Sequence, residues 1–197
     1  MCPPAMHPFI RWFLTALLPV FIVAPAADSA AAAREVRPPF GMAWGMELRR
    51  VEESVKAAGG NVVERVPAGA GMERWSVEGI PQDGLQRAVF TFDGGHLLEV
   101  ELQYGSGDWD TAMYDEFMRR VKARLDTEHG GGRLLVRERT PAAGVLRTML
   151  GYSWAGGAQS VALIYFSAQD ETNFFRLVSL HYSAKPPRTY PQIARRS

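Results

Sequence analysis

The sequence predicts an α+β fold, a two-layer sandwich in which two helices cover one face of an antiparallel sheet. Two segments have the apolar spacing of amphipathic helices, and each is followed by four short segments in which polar and apolar residues alternate. Strands this close along the chain pair antiparallel, because parallel neighbours need long crossover connections. Each helix is then expected to bury its apolar stripe against the sheet.

The first predicted helix covers residues 46–58 and the second begins near residue 110. The first helix has apolar residues spaced by three, four and three positions and is followed by Gly59-Gly60, which favours a helix end. Asp110 or Thr111 can cap the second helix, which ends at the glycine run 130–132. Its apolar stripe consists of Tyr114, Phe117, Met118, Val121 and Leu125.

Four strands are predicted after each helix, at 61–66, 74–80, 86–92 and 97–104, and then at 133–140, 145–154, 160–167 and 174–182. The pattern Val-x-Leu-x-Tyr begins at Val100 and again at Val178. The repeated order predicts an internal duplication of a helix–four-strand unit, with halves at 40–107 and 108–184. The alternative is that these residues are simply common in strands.

The N-terminus predicts export. Arg11 precedes an uncharged run of 13 residues, 12–24, and Ala24-Pro25-Ala26 has the small residues of a cleavage site. We therefore predict a signal peptide at 1–26, a flexible leader at 27–39, one α+β domain at 40–184 and a disordered basic tail at 185–197. The uncharged run is too short to span a bilayer, so no stable membrane anchor is expected after cleavage, and the protein is expected to be periplasmic or secreted.

Composition narrows the possible chemistry. The only cysteine, Cys2, lies before the apolar run, so the mature chain is expected to contain neither thiolate sites nor disulfides. The net charge of +1 argues against a nucleic-acid partner. The histidines of the mature chain, His96, His129 and His181, have no shared ligand spacing, so we expect no metal and no cofactor.

No catalytic residue is predicted. His129 followed by three glycines is similar to an oxyanion motif, and Ser153 lies in a string close to a nucleophile elbow. An elbow requires a strand, a sharp turn and a helix, whereas a strand is predicted after Ser153. We therefore expect a non-enzyme, with a dispersed active site as the remaining alternative.

An apolar surplus in the last two strands predicts a binding surface. Residues 161–166 are apolar on both faces of a strand, and Phe174-Phe175 and Leu177 add to them. If Val178, Leu180 and Tyr182 pack under a helix, the opposite face carries Phe175 and Leu177 together with one triplet of the neighbouring strand. We choose the triplet with Ile164 and Phe166, which makes the predicted partner-binding residues Ile164, Phe166, Phe175 and Leu177. The alternative is that loops or the other half of the chain cover them.

The order of elements resembles the beta-lactamase inhibitory protein fold and the small outer-membrane-assembly lipoproteins that share a version of it. The string from Phe40 to Val51 also resembles the helix entry of many exported bacterial proteins. The chain lacks the disulfides of the inhibitor and the lipidated cysteine of the lipoproteins. The resemblance implies a binding or assembly role.

These observations together predict an exported, non-catalytic protein that binds another macromolecule, an envelope protein, through an open sheet face. The alternative function is a module of the cell envelope that holds a small apolar ligand or a lipid between sheet and helices.

Overall fold

The computed structural model describes residues 35–185, within which the chain forms two helices and eight strands. In chain order these are α1 (Leu48–Ala57), β1 (Asn61–Pro67), β2 (Met72–Glu78), β3 (Leu85–Asp93), β4 (His96–Tyr104), α2 (Thr111–His129), β5 (Arg133–Ala142), β6 (Val145–Gly156), β7 (Gln159–Gln169) and β8 (Phe174–Ser183). Their ends lie within about two residues of the predicted ends. The predicted signal peptide, the leader up to residue 34 and the tail from residue 186 lie outside the described residues.

All eight strands belong to one antiparallel sheet with the order β1-β2-β3-β4-β8-β7-β6-β5. The two groups of four strands meet where β4 pairs with β8, with Val100 opposite Tyr182 and Leu102 opposite Leu180. β1 and β5 are therefore the two edges of the sheet. No helix among the described residues is long and apolar enough to cross a membrane.

The predicted two-layer sandwich is wrong. The structure is mainly a single eight-stranded antiparallel sheet, with 50% of its residues in strands and 19% in helices. The reason is one of size, because eight strands about 4.8 Å apart form a sheet roughly 34 Å across. A helix is about 10 Å wide, so α1 with 10 residues and α2 with 19 residues do not cover that face.

The predicted duplication of a helix–four-strand unit is wrong for a related reason. The helices differ in length, and β1–β4 have 7 to 9 residues whereas β5–β8 have 10 to 12. The strings beginning at Val100 and Val178 lie side by side at the centre of the sheet. Both strands bury the same kinds of side chain because they occupy the same central position.

The core lies between the helices and the face of the sheet on which they pack, here called the inner face. α1 contributes Val51 and Val55, and the whole predicted stripe of α2 is buried. From the sheet the core receives large side chains that are almost completely buried: Trp75, Phe90, Phe92, Leu97, Tyr104, Leu163 and Leu180. Both helices therefore pack on the same side of the sheet.

The segment before α1 also packs on the inner face. Val36 is completely buried, and the indole of Trp44 donates a hydrogen bond of 2.7 Å to the Val36 carbonyl. Met42 is buried, and the ring of Phe40 lies 6.4 Å from that of Phe90. Residues 35–39, which the sequence places in the flexible leader, thus contribute a side chain to the core.

Side-chain hydrogen bonds hold both ends of helix α2. Asp110 accepts a hydrogen bond of 2.9 Å from the Met113 amide at the N-terminus. Near the C-terminus, Asp126 accepts hydrogen bonds from the Gly132 amide at 2.8 Å and from the Trp154 indole at 3.1 Å. A hydrogen bond from Lys122, supported by those from Gly132 and Trp154, lowers the pKa of Asp126. These contacts fix α2 over β6.

Candidate functional site

The outer face of the sheet, opposite the helices, changes character at its centre. On β1–β4 the side chains of this face are mostly polar or charged: Glu64, Arg74, Ser76, Arg87, Val89, Thr91, Glu99, Glu101 and Gln103. On β5–β8 the same face carries a group of apolar side chains, Val136, Met149, Ala162, Ile164, Phe166, Ala168, Phe175 and Leu177, beside polar and charged ones, among them Glu138, Thr140, Arg147, Ser153, Ser179 and His181. One continuous sheet therefore presents two different surfaces on the side away from its helices.

The structure brings the four predicted partner-binding residues together on this outer face. Phe166 lies directly opposite Leu177 in the pairing of β7 with β8. The rings of Phe166 and Phe175 are 6.1 Å apart, within the range of a tilted aromatic contact. Ile164 lies opposite Ser179, one row along the same strands. The competing triplet faces inward, where Val161 and Leu163 are completely buried.

These four residues differ in exposure. Phe175 is 54% exposed, Phe166 and Leu177 are half-buried, and Ile164 is buried with only 6% exposed. Ile164 is covered within the face itself, next to Gly151 on β6. A Cβ atom at Gly151 would lie 2.9 Å from Val136 and 3.4 Å from Ile164, so the missing side chain lets these two residues close over the sheet.

Two further residues belong to this surface and were missed by sequence reasoning. Met149 lies opposite Phe166, and Val136 lies opposite Gly151. In sequence both lie in runs of mixed polar and apolar residues, and only the strand register places them beside the others. We define the outer patch as Val136, Met149, Ile164, Phe166, Phe175 and Leu177.

A tight turn fixes the end of the outer patch that carries Phe175. In the β7–β8 connection, the Asp170 carboxylate accepts hydrogen bonds from the amides of Thr172 at 2.8 Å and Asn173 at 2.6 Å. These backbone hydrogen bonds lower the pKa of Asp170 to about 2. The turn leads directly into Phe174 and Phe175, so an ordered loop delivers the aromatic residues to the sheet.

Charged and polar groups border the outer patch. Arg147 and Thr140 lie beyond it on β6 and β5, and Glu138 lies opposite Met149. On the other side, Glu101 and His181 face each other across the junction of β4 and β8. The patch is thus an apolar area with a polar rim, as protein-binding surfaces commonly are.

Ser179, His181 and Glu101 form a small polar cluster at this border. Ser179 Oγ is 2.8 Å from His181 Nε2, and Glu101 Oε1 is 3.8 Å from the same nitrogen. In a Ser-His-carboxylate triad the carboxylate orients the ring through the other nitrogen. Ser179 and Glu101 thus lie near the same ring nitrogen of His181, Nε2, rather than near opposite nitrogens.

The other sequence candidates lie apart. His96 Nδ1 is 3.0 Å from the Gly45 carbonyl oxygen, and His129 lies at the end of α2. Ser153 is buried within β6. The next element is not a helix but the strand β7, which pairs antiparallel with β6. Within residues 35–185, no three or more histidine, cysteine or acidic residues are grouped so that they could hold a metal ion.

Two clefts lie elsewhere on the domain. One of about 480 Å3 lies beside the β1–β2 hairpin and is lined by residues 65–67 and 69–73. The other, about 280 Å3, lies between α2 and the loop before β3 and is lined by Gln82, Asp83, Tyr104, Phe117, Arg120, Val121 and Arg124. Burial raises the pKa of Tyr104 to about 12, so its hydroxyl group remains neutral at physiological pH.

No protein-family model matches this chain, and neither a curated protein nor a solved structure is detectably similar to it. The resemblance to exported inhibitors and outer-membrane-assembly lipoproteins therefore stays a prediction.

Proposed function

We propose that this chain is an exported, non-catalytic protein of the cell envelope that binds another protein through the outer patch. The observation that carries the proposal is the contrast within one sheet face, which is mostly polar over β1–β4 but carries the apolar outer patch over β5–β8. No described element packs over the apolar half. The solvent-exposed face of an antiparallel sheet normally carries polar side chains. An exposed apolar cluster on β5–β8 is therefore unusual for a face that contacts only water.

The exposure of the outer patch supports a binding role. Its six side chains lie in three rows on four strands, and four of them, Met149, Phe166, Phe175 and Leu177, are exposed or half-buried. Exposed apolar side chains grouped in this way often mark interaction sites. Covering the exposed half of the Phe175 ring removes about 100 Å2 of apolar surface from water, which favours association by about 2 kcal/mol.

The chemistry of the patch defines the partner. Its six side chains are all uncharged, and charge appears only at the rim, at Arg147, Glu138 and Glu101. We therefore propose an apolar protein surface as the partner, with at least one aliphatic or aromatic group that packs against Phe166 and Phe175.

The proposal is tested with two neighbouring phenylalanines. Phe175→Ser removes the most exposed ring of the outer patch, and Phe174→Ser is the matched control. Phe174 is 46% exposed but faces the inner side, where the guanidinium of Arg176 lies 3.7 Å from its ring centroid. Both variants are compared with the wild type in capture of interacting proteins from the native envelope, followed by binding measurements with each purified protein.

The proposal requires one defined protein that binds the wild type and Phe174→Ser but binds Phe175→Ser at least about tenfold more weakly. Equal losses in both variants, or no loss in Phe175→Ser, would contradict it. We use the single substitution because Leu177 is half-buried, and its replacement by serine also perturbs packing.

A second candidate function is binding of a small ligand, supported by the cleft beside α2. This cleft combines apolar side chains, Phe117 and Val121, with the Tyr104 hydroxyl and two arginines. Its volume of about 280 Å3 is near the lower end for ligand sites. Native mass spectrometry of the purified protein distinguishes the candidates, because a co-purifying small molecule would favour the cleft.

A further inference from the structure

The edge strand β5 differs from the opposite edge of the sheet. β5 has ten residues and pairs only with β6, so along its free edge the described chain supplies no partner strand. Its pairing is regular from Val136 to Ala142, after one irregularity between Leu134 and Val136. At the opposite edge, β1 has only seven residues, is irregular between Val62 and Glu64, and ends at Pro67. β5 contains Pro141, which has no amide hydrogen to donate, but it is longer than β1 and regular from Val136 to Thr140, so it is the better template for an added strand.

The β5–β6 hairpin is also the basic part of the domain. Residues 133–147 contain four arginines and one glutamate, which gives a net charge of +3. The other residues between 35 and 185 contain 13 lysines and arginines and 19 acidic residues, a net charge of −6. The positive charge is thus concentrated at one edge of an otherwise acidic domain.

The hairpin arginines are not neutralised by ion pairs. Six of the ten other arginines between residues 35 and 185 pair with carboxylates, as Arg65 does with Glu52 at 3.1 Å and Arg87 with Glu78 at 2.8 Å. Within residues 35–185, no acidic group lies within 4.0 Å of the hairpin's charged side chains Arg133, Arg137, Arg139 and Arg147. All four are exposed.

Charge on an edge strand commonly prevents pairing with other strands. Arginines repel a second copy of the same edge and disfavour basic strands. They do not disfavour an acidic strand, which gains ion pairs in addition to backbone hydrogen bonds. The same residues therefore both protect the edge and select among extended segments.

We propose that the free edge of β5 binds an acidic, extended segment of a partner protein as a ninth strand of the sheet. Arg137 and Arg139 lie two residues apart and face the inner side, opposite Leu150 and Thr148. An added strand with acidic residues at alternate positions places their carboxylates along this pair. Arg137 and Arg139 face away from the outer patch, which reaches β5 only at Val136, so the proposal does not depend on the proposed function.

The experiment uses a fluorescent, end-capped peptide, Thr-Glu-Val-Glu-Val-Glu-Thr, and the purified full chain. Two control peptides have either lysine in place of each glutamate or N-methyl groups on alternate amides, which block strand pairing without changing charge. We expect measurable binding of the first peptide only, with each control at least about tenfold weaker. Hydrogen exchange of β5 amides should slow in the complex.

Protein variants locate the site. Arg137→Glu/Arg139→Glu should weaken binding by about tenfold, because two exposed ion pairs become repulsive contacts. Arg50→Glu/Arg74→Glu changes the net charge equally on α1 and β2, far from β5 in the sheet order, and should change binding less than about twofold. Arg139→Gln alone should give an intermediate loss, and circular dichroism confirms that each variant is folded.

Three results would overturn the proposal. Equal binding of the N-methylated peptide would show that no strand is added, and this result does not depend on any protein variant. Equal losses in the two double variants would show non-specific charge attraction. Binding to phosphatidylglycerol vesicles without binding of the glutamate peptide would assign the basic edge to a membrane surface.

Discussion

The two halves of the outer face belong to one sheet but carry different kinds of side chain. Thr91 on β3 and Glu101 on β4 face water as the outer side of an antiparallel sheet usually does. Phe166 and Leu177, in the corresponding central strands of the other half, form an apolar row instead. Because strand pairing and inner-face packing are continuous across both halves, folding alone does not explain the difference. The contrast is expected if β5–β8 have a second role besides folding, namely the proposed binding of another protein.

The largest expected effect separates inner from outer aromatic residues. Phe117 is 7% exposed and lies 4.9 Å from the ring of Tyr104 and 5.1 Å from that of Trp109. Phe117→Ala should lower the free energy of unfolding by about 3–5 kcal/mol, whereas Phe175→Ala should lower it by less than about 1 kcal/mol. Urea denaturation measures both, and equal costs would show that Phe175 belongs to the core.

A smaller loss of stability is expected when the hydrogen bonds of Asp126, which hold α2 over β6, are removed. Asp126→Ala removes the acceptor for the Gly132 amide and the Trp154 indole and should lower the free energy of unfolding by about 1–3 kcal/mol at pH 7. Asp115→Ala, an exposed position on the same helix, is the control and should change the free energy by less than about 0.5 kcal/mol.

The same carboxylate predicts a pH dependence. Since the folded-state pKa of Asp126 is lowered, its contribution to stability is complete above the ordinary value of 3.8 and is lost as the pH falls through the lower folded-state value. The difference in unfolding free energy between wild type and Asp126→Ala should therefore shrink on acidification below about pH 3.8. A difference that grows as the pH falls would contradict this assignment.

The smallest expected effect is at the turn that presents Phe175. Asp170→Ala should change global stability by less than about 0.5 kcal/mol, because the turn is exposed, but should speed hydrogen exchange at the Thr172 and Asn173 amides. In the wild type the folded-state pKa of Asp170 is lowered to about 2, so these amides should stay protected near pH 3.8 and lose protection as the pH falls through about 2. Unchanged exchange in Asp170→Ala, measured by NMR, would show that the carboxylate does not order the turn.

Local features of the fold were predictable and long-range ones were not. The periodicities that mark α2 or β7 lie within a single segment, so the sequence places these elements well. The pairing of β4 with β8 joins residues that are 74 to 84 positions apart in the sequence, such as Glu101 and His181. No local pattern indicates this pairing. The layered architecture and the duplication were therefore wrong although the individual elements were present.

The candidate site shows the same division. Ile164, Phe166, Phe175 and Leu177 lie in apolar runs, so their surplus was visible in sequence and the structure places all four on one face. Met149 and Val136 join them only through the register of β5 and β6. The sequence also did not indicate that β5 is an edge strand, because only the order of strands in the sheet decides which arginines lie at an edge.

The central claim, that the apolar half of the outer face is the binding surface, is tested most directly by site-specific photo-crosslinking in cells. A photoreactive phenylalanine analogue is placed at Phe175 in the apolar half, at Arg87 in the polar half of the same face, and at Phe174 on the opposite face. The proposed function predicts a crosslink to one defined protein from position 175 and none from positions 87 and 174. The same crosslinked protein at equal yield from all three positions, or crosslinks from position 87 alone, would contradict it.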